Sequence, residues 1–307
     1  MFKLPDEIKK QGTAVALGYF DGIHLGHQAV LDTALEYAKK ENLVPTVMLF
    51  DVHPRKLISG SAPPELTSEE KKRELLVSMG FTVVDFNFRE AMDYSPNEFI
   101  ERILIDALNA RVVSCGFDYH YGKGGKGNAI TLHDELEKRG IKAFSKEPIL
   151  LDDEVISSTA IRELIEAGEI EKANTMLGYC FSYDFTVKRG DGIGNRLLGF
   201  PTINQLFPQD FIVPKYGVYA SRVHLDGKWY PSVTNIGVRP TVAKDSLRSE
   251  TCILDFSGDL YGKNVEVQLL SFIRSEIKFP DLEALSVQIG KDIVRAREIY
   301  SEVVENG

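Results

Sequence analysis

The hydrophobic period of this chain changes near residue 180, and that change restricts its fold more than any single motif. Upstream, short apolar runs alternate with segments of helical spacing. Thr13 to Gly18 fits a buried strand, and Gln28 to Lys40 follows with Val30, Ala34, Tyr37 and Ala38 at helical intervals. Asn42 and Pro45 punctuate the chain before a second strand over Thr46 to Phe50. Ser95-Pro96-Asn97-Glu98 spells a capping box with proline at the first helical position, which predicts a helix to about Asn109. A strand over Arg111 to Cys115, a helix over Leu132 to Arg139 and a strand over Ile141 to Phe144 repeat the alternation. Ser158 or Thr159 then caps a helix running towards Gly168, and a short helix covers Glu169 to Leu177. Such alternation implies a parallel sheet with helices on both faces.

After Tyr179 the helical period disappears. Phe181 to Lys188, Gly217 to Leu225, Trp229 to Asn235, Thr251 to Phe256 and Val265 to Ile273 are short and rich in β-branched and aromatic residues. Gly, Pro or Asp separates them, a spacing that predicts a compact antiparallel barrel. An amphipathic helix over Leu282 to Val303 ends the pattern. A boundary near residue 182 gives domains 1–181 and 182–307, and 307 residues suffice for each to bury a core.

Two glycine-rich signatures stand on opposite sides of that boundary. The first is Gly18-Tyr19-Phe20-Asp21-Gly22-Ile23-His24-Leu25-Gly26-His27. The second runs from Gly190 through Gly192 and Gly194 to Gly199-Phe200-Pro201-Thr202-Ile203-Asn204. A net charge of −9 argues against nucleic-acid polymers and anionic membranes as partners, but a nucleotide site needs only local positive charge. Cys115, Cys180 and Cys252 form no C-x-x-C pair and read as buried thiols in a reducing compartment. No signal-like apolar run follows Met1, and no stretch approaches membrane-spanning length. The expected location is the cytoplasm. A homo-oligomer is left open.

The first signature lies in a strand-to-helix turn, where open α/β sheets bind ligands and a helix N-terminus offers free N–H groups to phosphate. Gly22 and Gly26 allow close backbone approach, while His24 and His27 can donate to phosphate oxygens and stabilise charge at a reacting phosphorus. A bland alternative stays open, with one histidine capping the helix and the other filling the core. Zinc is a weaker rival, since no third ligand lies at suitable spacing. Ser157, Ser158 and Thr159 at a second helix start, with Arg162 one turn in, suit pyrophosphate oxygens or an ordinary cap. Phe117-Asp118-Tyr119-His120-Tyr121-Gly122 leads into Lys123-Gly124-Gly125-Lys126-Gly127, either a basic loop over phosphates or a solvated surface loop.

The H-x-G-H turn, the Phe-Asp-x-x-x-Gly loop and Ser-Ser-Thr-x-Ile-Arg, in this order, resemble the adenylyltransferase half of bifunctional riboflavin kinase/FAD synthetases. Gly199-Phe200-Pro201-Thr202-Ile203-Asn204 resembles the kinase signature of the same family, with Ile203 where alanine is usual. The resemblance implies a Rossmann-like nucleotidyltransferase domain and a six-stranded antiparallel β-barrel kinase domain with a terminal helix. It makes ATP the co-substrate and magnesium the metal, with Thr202 and Asn204 as hard oxygen ligands. Gly18, Phe20, Gly26, Asp118, Ser158, Thr159, Arg162, Gly190, Gly192, Gly194 and Gly199 become candidates for binding ATP and its phosphates. Glu250, opening Glu250-Thr251-Cys252-Ile253-Leu254-Asp255-Phe256, falls where the family carries its base, with Cys252 where histidine is frequent. Arg274 and Phe279 fall at flavin-contacting places, while Asn235-Ile236-Gly237-Val238-Arg239-Pro240-Thr241 and Leu260-Tyr261-Gly262-Lys263 read as scaffold. Val52, Val242 and His120-Tyr121 depart from the family pattern.

The implied chemistry is riboflavin to FMN with release of ADP, then FMN to FAD with release of pyrophosphate. Alternatives are a chain with only one active half, or a non-catalytic flavin-binding module.

Overall fold

In the computed structural model, which describes residues 4–189, 202–239 and 246–306, the first half is organised around a parallel sheet. The chain falls into two units: one runs to Pro63 and resumes over Ser68–Ser158, and the other joins Pro64–Thr67 to the chain from Thr159 onward. The first unit opens with α1 (Asp6–Gln11), β1 (Thr13–Leu17), α2 (Leu25–Glu41) and β2 (Val44–Phe50). Next come α3 (Pro54–Ser59), α4 (Glu69–Ser78) and β3 (Thr82–Phe86). Helix α5 (Pro96–Phe99) widens into π-helical turns over Ile100–Ala107, followed by β4 (Ala110–Gly116), β5 (His120–Tyr121) and β6 (Gly127–Asn128). The unit ends with α6 (Ala129–Glu137), β7 (Lys142–Lys146) and the hairpin of β8 (Leu150–Leu151) and β9 (Glu154–Val155).

Five strands pair in parallel in the order β3-β2-β1-β4-β7. β1 is buried throughout, and its alternating side chains feed different cores. Val15 and Leu17 pack with Ile100, Ile103, Leu104 and Leu132, whereas Ala16 joins Val30, Leu31 and Ala34 of α2. Helices therefore cover both faces. Because β2 and β4 flank β1, the strand order reverses beside β1, the switch point at which such sheets take ligands.

The second unit contains all of α7 (Ser158–Ala167) but its first residue, then α8 (Ile170–Leu177) and β10 (Ser182–Lys188). β11 (Thr202–Leu206), β12 (Gly217–Leu225), β13 (Lys228–Arg239), β14 (Ser246–Ile253), β15 (Asn264–Arg274) and α9 (Leu282–Asn306) follow. Six strands close into a barrel ordered β10-β11-β14-β13-β12-β15, with every neighbour antiparallel. Ala296 and Ile299 of α9 pack on Val218, Ala220, Val233 and Leu270. The early segment joins this unit through backbone pairing: Glu65 N–H donates to the Asp210 carbonyl at 2.7 Å, and Ile212 N–H donates to Glu65 at 2.9 Å.

Several boundaries move for local reasons. α6 starts at Ala129 and not Leu132, because Asn128 and Thr131 form a capping box just after the Gly-Lys run. β14 occupies Ser246–Ile253 and not Thr251 to Phe256: its earlier residues find partners along β13, and Asp255 turns away with φ 59°. The Ser95–Glu98 capping box is present, but the helix after it continues as π turns that keep Ile100, Ile103, Leu104 and Ala107 buried. Cys115 and Cys252 are buried as expected; Cys180 is only half-buried, beside the Arg222 guanidinium at 3.9 Å.

Candidate active sites

The turn between β1 and α2 holds an unusual backbone. Phe20, Gly22 and Ile23 all have positive φ, at 56°, 79° and 37°. Such angles are rare for residues with a side chain, and here burial holds Phe20 and Ile23 in place. A Cβ at Gly18 would lie 3.0 Å from the Phe20 ring, and one at Gly26 would lie 3.2 Å from the His24 imidazole, so either ring would have to shift to admit it. The lack of a side chain at Gly26 thus favours the seat of His24.

His24 is the N-cap of α2, its Nδ1 accepting from the His27 N–H at 3.3 Å, which leaves the ring proton on Nε2. The two imidazoles stack with centroids 3.7 Å apart and planes 19° apart, and Phe20 meets His27 edge-on. The capping half of the bland reading thus holds for His24, but the pair forms one stacked unit. Burial keeps His27 neutral well below the ordinary histidine value, reinforced by His24 and Lys72. Its Nδ1 is enclosed without a hydrogen-bond partner. Lys72 of α4, 2% exposed, sets its Nζ 4.0 Å over the Tyr19 ring, and His53 packs on Tyr19 at 4.2 Å. Sequence reasoning missed Lys72, hidden in the charge run Glu69-Glu70-Lys71-Lys72-Arg73.

Asp118 is exposed in the turn leaving β4, next to β1 in the sheet, so both loops leave the carboxyl ends of adjacent strands. Its carbonyl pairs with His120 Nδ1 at 2.8 Å. Lys123 to Lys126 are exposed, with Lys123 Nζ 2.8 Å from Asp93. The Ser158 hydroxyl donates to the Asp21 carbonyl at 2.9 Å, tying the start of α7 to the β1–α2 turn. α7 begins at Ser158 itself, so neither Ser158 nor Thr159 is its cap; the Ser158 hydroxyl is used by Asp21 instead. Thr159 and Arg162 fall in the second unit, where Thr159 is exposed and Arg162 Nε donates to the Pro64 carbonyl at 2.6 Å.

Strand register lays out the barrel site. Asn204 of β11 stands opposite Glu250 of β14, Glu250 opposite Asn235 of β13, Asn235 opposite Val218 of β12, and Val218 opposite Arg274 of β15. Cross-strand partners share a face, as do residues two apart, so Thr202, Asn204, Glu250 and Asn235 lie together. All four are half-buried, while the interleaved Ile203, Gln205, Ser249, Thr251 and Thr234 face the barrel interior. Asn235, read from sequence as scaffold, is thus a direct neighbour of Glu250, and its Nδ2 donates to Glu276 at 3.1 Å. Gly237 leaves room for the Glu276 carboxylate, which would have to swing away from a Cβ at that position.

At the end of this row, Arg274 forks onto Asp292 of α9, with Nη2 to Oδ2 at 2.7 Å and Nε to both oxygens at 3.1 Å. Gln288 donates to the same buried carboxylate at 2.9 Å, and Phe279 lies 5.8 Å from the guanidinium. No local pattern flags Asp292, which sits far along the chain on a helix. Gly190, Gly192, Gly194 and Gly199 lie outside the described residues. Among the described residues, no group of three or more His, Cys, Asp or Glu is placed to hold a metal ion.

The chain matches the FAD synthetase family over residues 6–160 and the riboflavin kinase family over residues 177–300. It is 36% identical to the bifunctional riboflavin kinase/FMN adenylyltransferase of Listeria monocytogenes, over 97% of this chain and 96% of the relative. The chain belongs to the bifunctional riboflavin kinase/FMN adenylyltransferase family. The Bacillus subtilis member is also 36% identical, over 95% of this chain and 93% of the relative. A crystal structure described as a macrolide-efflux protein from Streptococcus pneumoniae superposes with a TM-score of 0.84 at 28% identity, covering 97% of this chain and 99% of that one. Among the described residues no helix is long and apolar enough to cross a membrane. Within this family's pattern, the chain carries the stacked histidines inside its FAD synthetase match and the Asn204–Glu250 row inside its riboflavin kinase match.

Proposed function

We propose that the two reactions of this transferase divide between domains 1–181 and 182–307, with the barrel phosphorylating riboflavin and the α/β domain adenylylating the resulting FMN. The observation that carries this reading is the register row placing Glu250 between Asn204 and Asn235. In the kinase step, the Glu250 carboxylate takes the proton of the riboflavin primary hydroxyl as its oxygen bonds to the γ-phosphorus of ATP, and ADP leaves. A positioned carboxylate base contributes roughly 10²- to 10⁴-fold. Thr202 and Asn204 suit magnesium, because a hydroxyl and an amide oxygen two residues apart on one face are hard donors. Held there with the ATP phosphates, the ion would neutralise charge. Arg274 and Phe279 are assigned to the flavin, with Asp292 fixing the guanidinium.

In the adenylyl step the FMN phosphate attacks the α-phosphorus of ATP, and pyrophosphate leaves without any enzyme nucleophile. Positioning and charge stabilisation are enough. The reading gives His24 and His27, as neutral donors, to the phosphates, along with the α2 N-terminus and Ser158, all of the first unit. Gly18, Phe20, Gly26 and Asp118 shape the nucleotide cavity, and Gly190, Gly192, Gly194 and Gly199 serve ATP in the kinase. The enzyme is placed in the cytoplasm, where riboflavin, FMN and ATP meet.

The test is product analysis: purified protein, riboflavin, ATP and magnesium, followed over time by chromatography. FMN should rise first and FAD after it. No FMN would eliminate the kinase assignment, and FMN without FAD would eliminate the adenylyltransferase.

A further inference from the structure

Inside this barrel, among apolar side chains such as Ile203, Val223, Ile236 and Val267, lies a cluster of buried hydroxyls. Ser221, Ser232, Thr234 and Thr251 are fully buried, and their hydroxyls form one chain. Ser232 Oγ lies 2.7 Å from Ser221 Oγ, which lies 2.8 Å from Thr234 Oγ1, which lies 2.8 Å from Thr251 Oγ1. The chain crosses β12, β13 and β14. It ends on the residue beside Glu250, and Thr234 is the residue beside Asn235.

A buried hydroxyl is costly unless it is bonded, so these contacts discriminate between registers as apolar side chains do not. A one-residue slip of β14 along β13 would turn Thr251 outward and Glu250 into the barrel. A two-residue slip would keep the faces but part Thr234 from Thr251. The register that joins these four hydroxyls, while Ser249 Oγ and Tyr183 OH nearby find no partner, is also the one that sets Glu250 opposite both Asn204 and Asn235.

We infer that the Ser232–Ser221–Thr234–Thr251 hydroxyl chain is a positioning device for Glu250, acting from inside the barrel on a base that works outside it. The inference rests on the reading of Glu250 as the kinase base. All four residues are buried inside the barrel, on the face opposite the one that carries Glu250.

The full-length protein supplies its own control, because conversion of FMN to FAD can be measured in the same preparation. Thr234→Val keeps the shape and removes the hydroxyl. It should lower kcat for riboflavin phosphorylation about tenfold, leave KM for riboflavin and ATP within about twofold, and spare adenylylation. Thr234→Ser should restore kcat to within about threefold of the starting protein. If Thr234→Val does not fold, Ser221→Ala removes the hydroxyl shared by Ser232 and Thr234 and should give the same split at about threefold. An unchanged kcat with only a lower melting temperature would reduce the chain to packing and overturn the inference, as would equal losses in the valine and serine variants. Glu250→Gln separates the two ideas: kinase activity surviving that change would sink the base assignment itself, and this inference with it. An inactive Glu250→Gln beside a fully active Thr234→Val would sink the inference alone.

Discussion

The two candidate sites of this enzyme are held in place by opposite means. In the α/β unit the groups sit on a strained turn: positive φ at Phe20 and Ile23, a histidine as helix cap, and a second histidine stacked on the first. In the barrel they sit on regular strands, and their mutual placement is a matter of which residue pairs with which. A turn places groups through local conformation, so its demands fall on single positions such as Gly26. A register row places groups through pairing along whole strands, so its demands are spread over residues on the opposite face of those strands. The first arrangement should be sensitive to local change, the second to distant change.

The sharpest way to break this contrast is Glu250→Gln, which should cut FMN formation about 10²- to 10⁴-fold while supplied FMN is still converted to FAD. His27→Ala should do the reverse, lowering FAD formation about 10²- to 10³-fold with riboflavin phosphorylation intact. If either change stopped both reactions in a folded protein, separate sites would be the wrong description. Next in size is Arg274→Met, which strands the buried Asp292 carboxylate and should cost about 3–5 kcal/mol in denaturant unfolding of the barrel. A cost below about 1 kcal/mol would mean that the pair behaves like a surface ion pair.

Smaller effects test the turn. Gly26→Ala pushes a methyl against the His24 ring and should slow adenylylation by about tenfold, with little loss in the kinase assay. The least effect concerns pH. The folded-state value of His27 lies well below the ordinary 6.5, so between the two the unfolded chain binds a proton that the folded chain does not. Stability should therefore fall as pH drops below about 6.5, by at most about 1.4 kcal/mol per pH unit from this group. Melting curves at about pH 7.5 and 5.5 check this, and His27→Gln should lessen the difference; an unchanged difference would assign it to other groups.

Much of the architecture was legible because it rests on periodicity. β12 emerges over Gly217–Leu225 as read, and β1, α2 and β4 differ only at their ends. The stretch between Phe50 and Ser95 was silent: α4 is so rich in charge that Leu76 and the buried Lys72 make a poor apolar stripe, and β3 is a short run with an exposed Asp85. The histidine turn was legible as a motif, but stacking depends on backbone angles that spacing does not reveal. In the barrel, Thr202 and Asn204 could be paired from their separation alone. Glu250 could be linked to them only by resemblance, because β11 and β14 are brought together by closure of the sheet. Asn235 escaped because its place beside Glu250 is a matter of strand register, and Asp292 because it reaches Arg274 from a helix.

The fork from Arg274 to Asp292 has a consequence for the order of synthesis. Asp292 is the last of the groups around the barrel site to leave the ribosome. Until α9 is made, the guanidinium at the end of the row has no acid to orient it. A nascent chain, or one truncated after β15, carries the whole Asn204–Glu250–Asn235 row with its far end unanchored. Completion of this site is therefore signalled by the C-terminal helix itself.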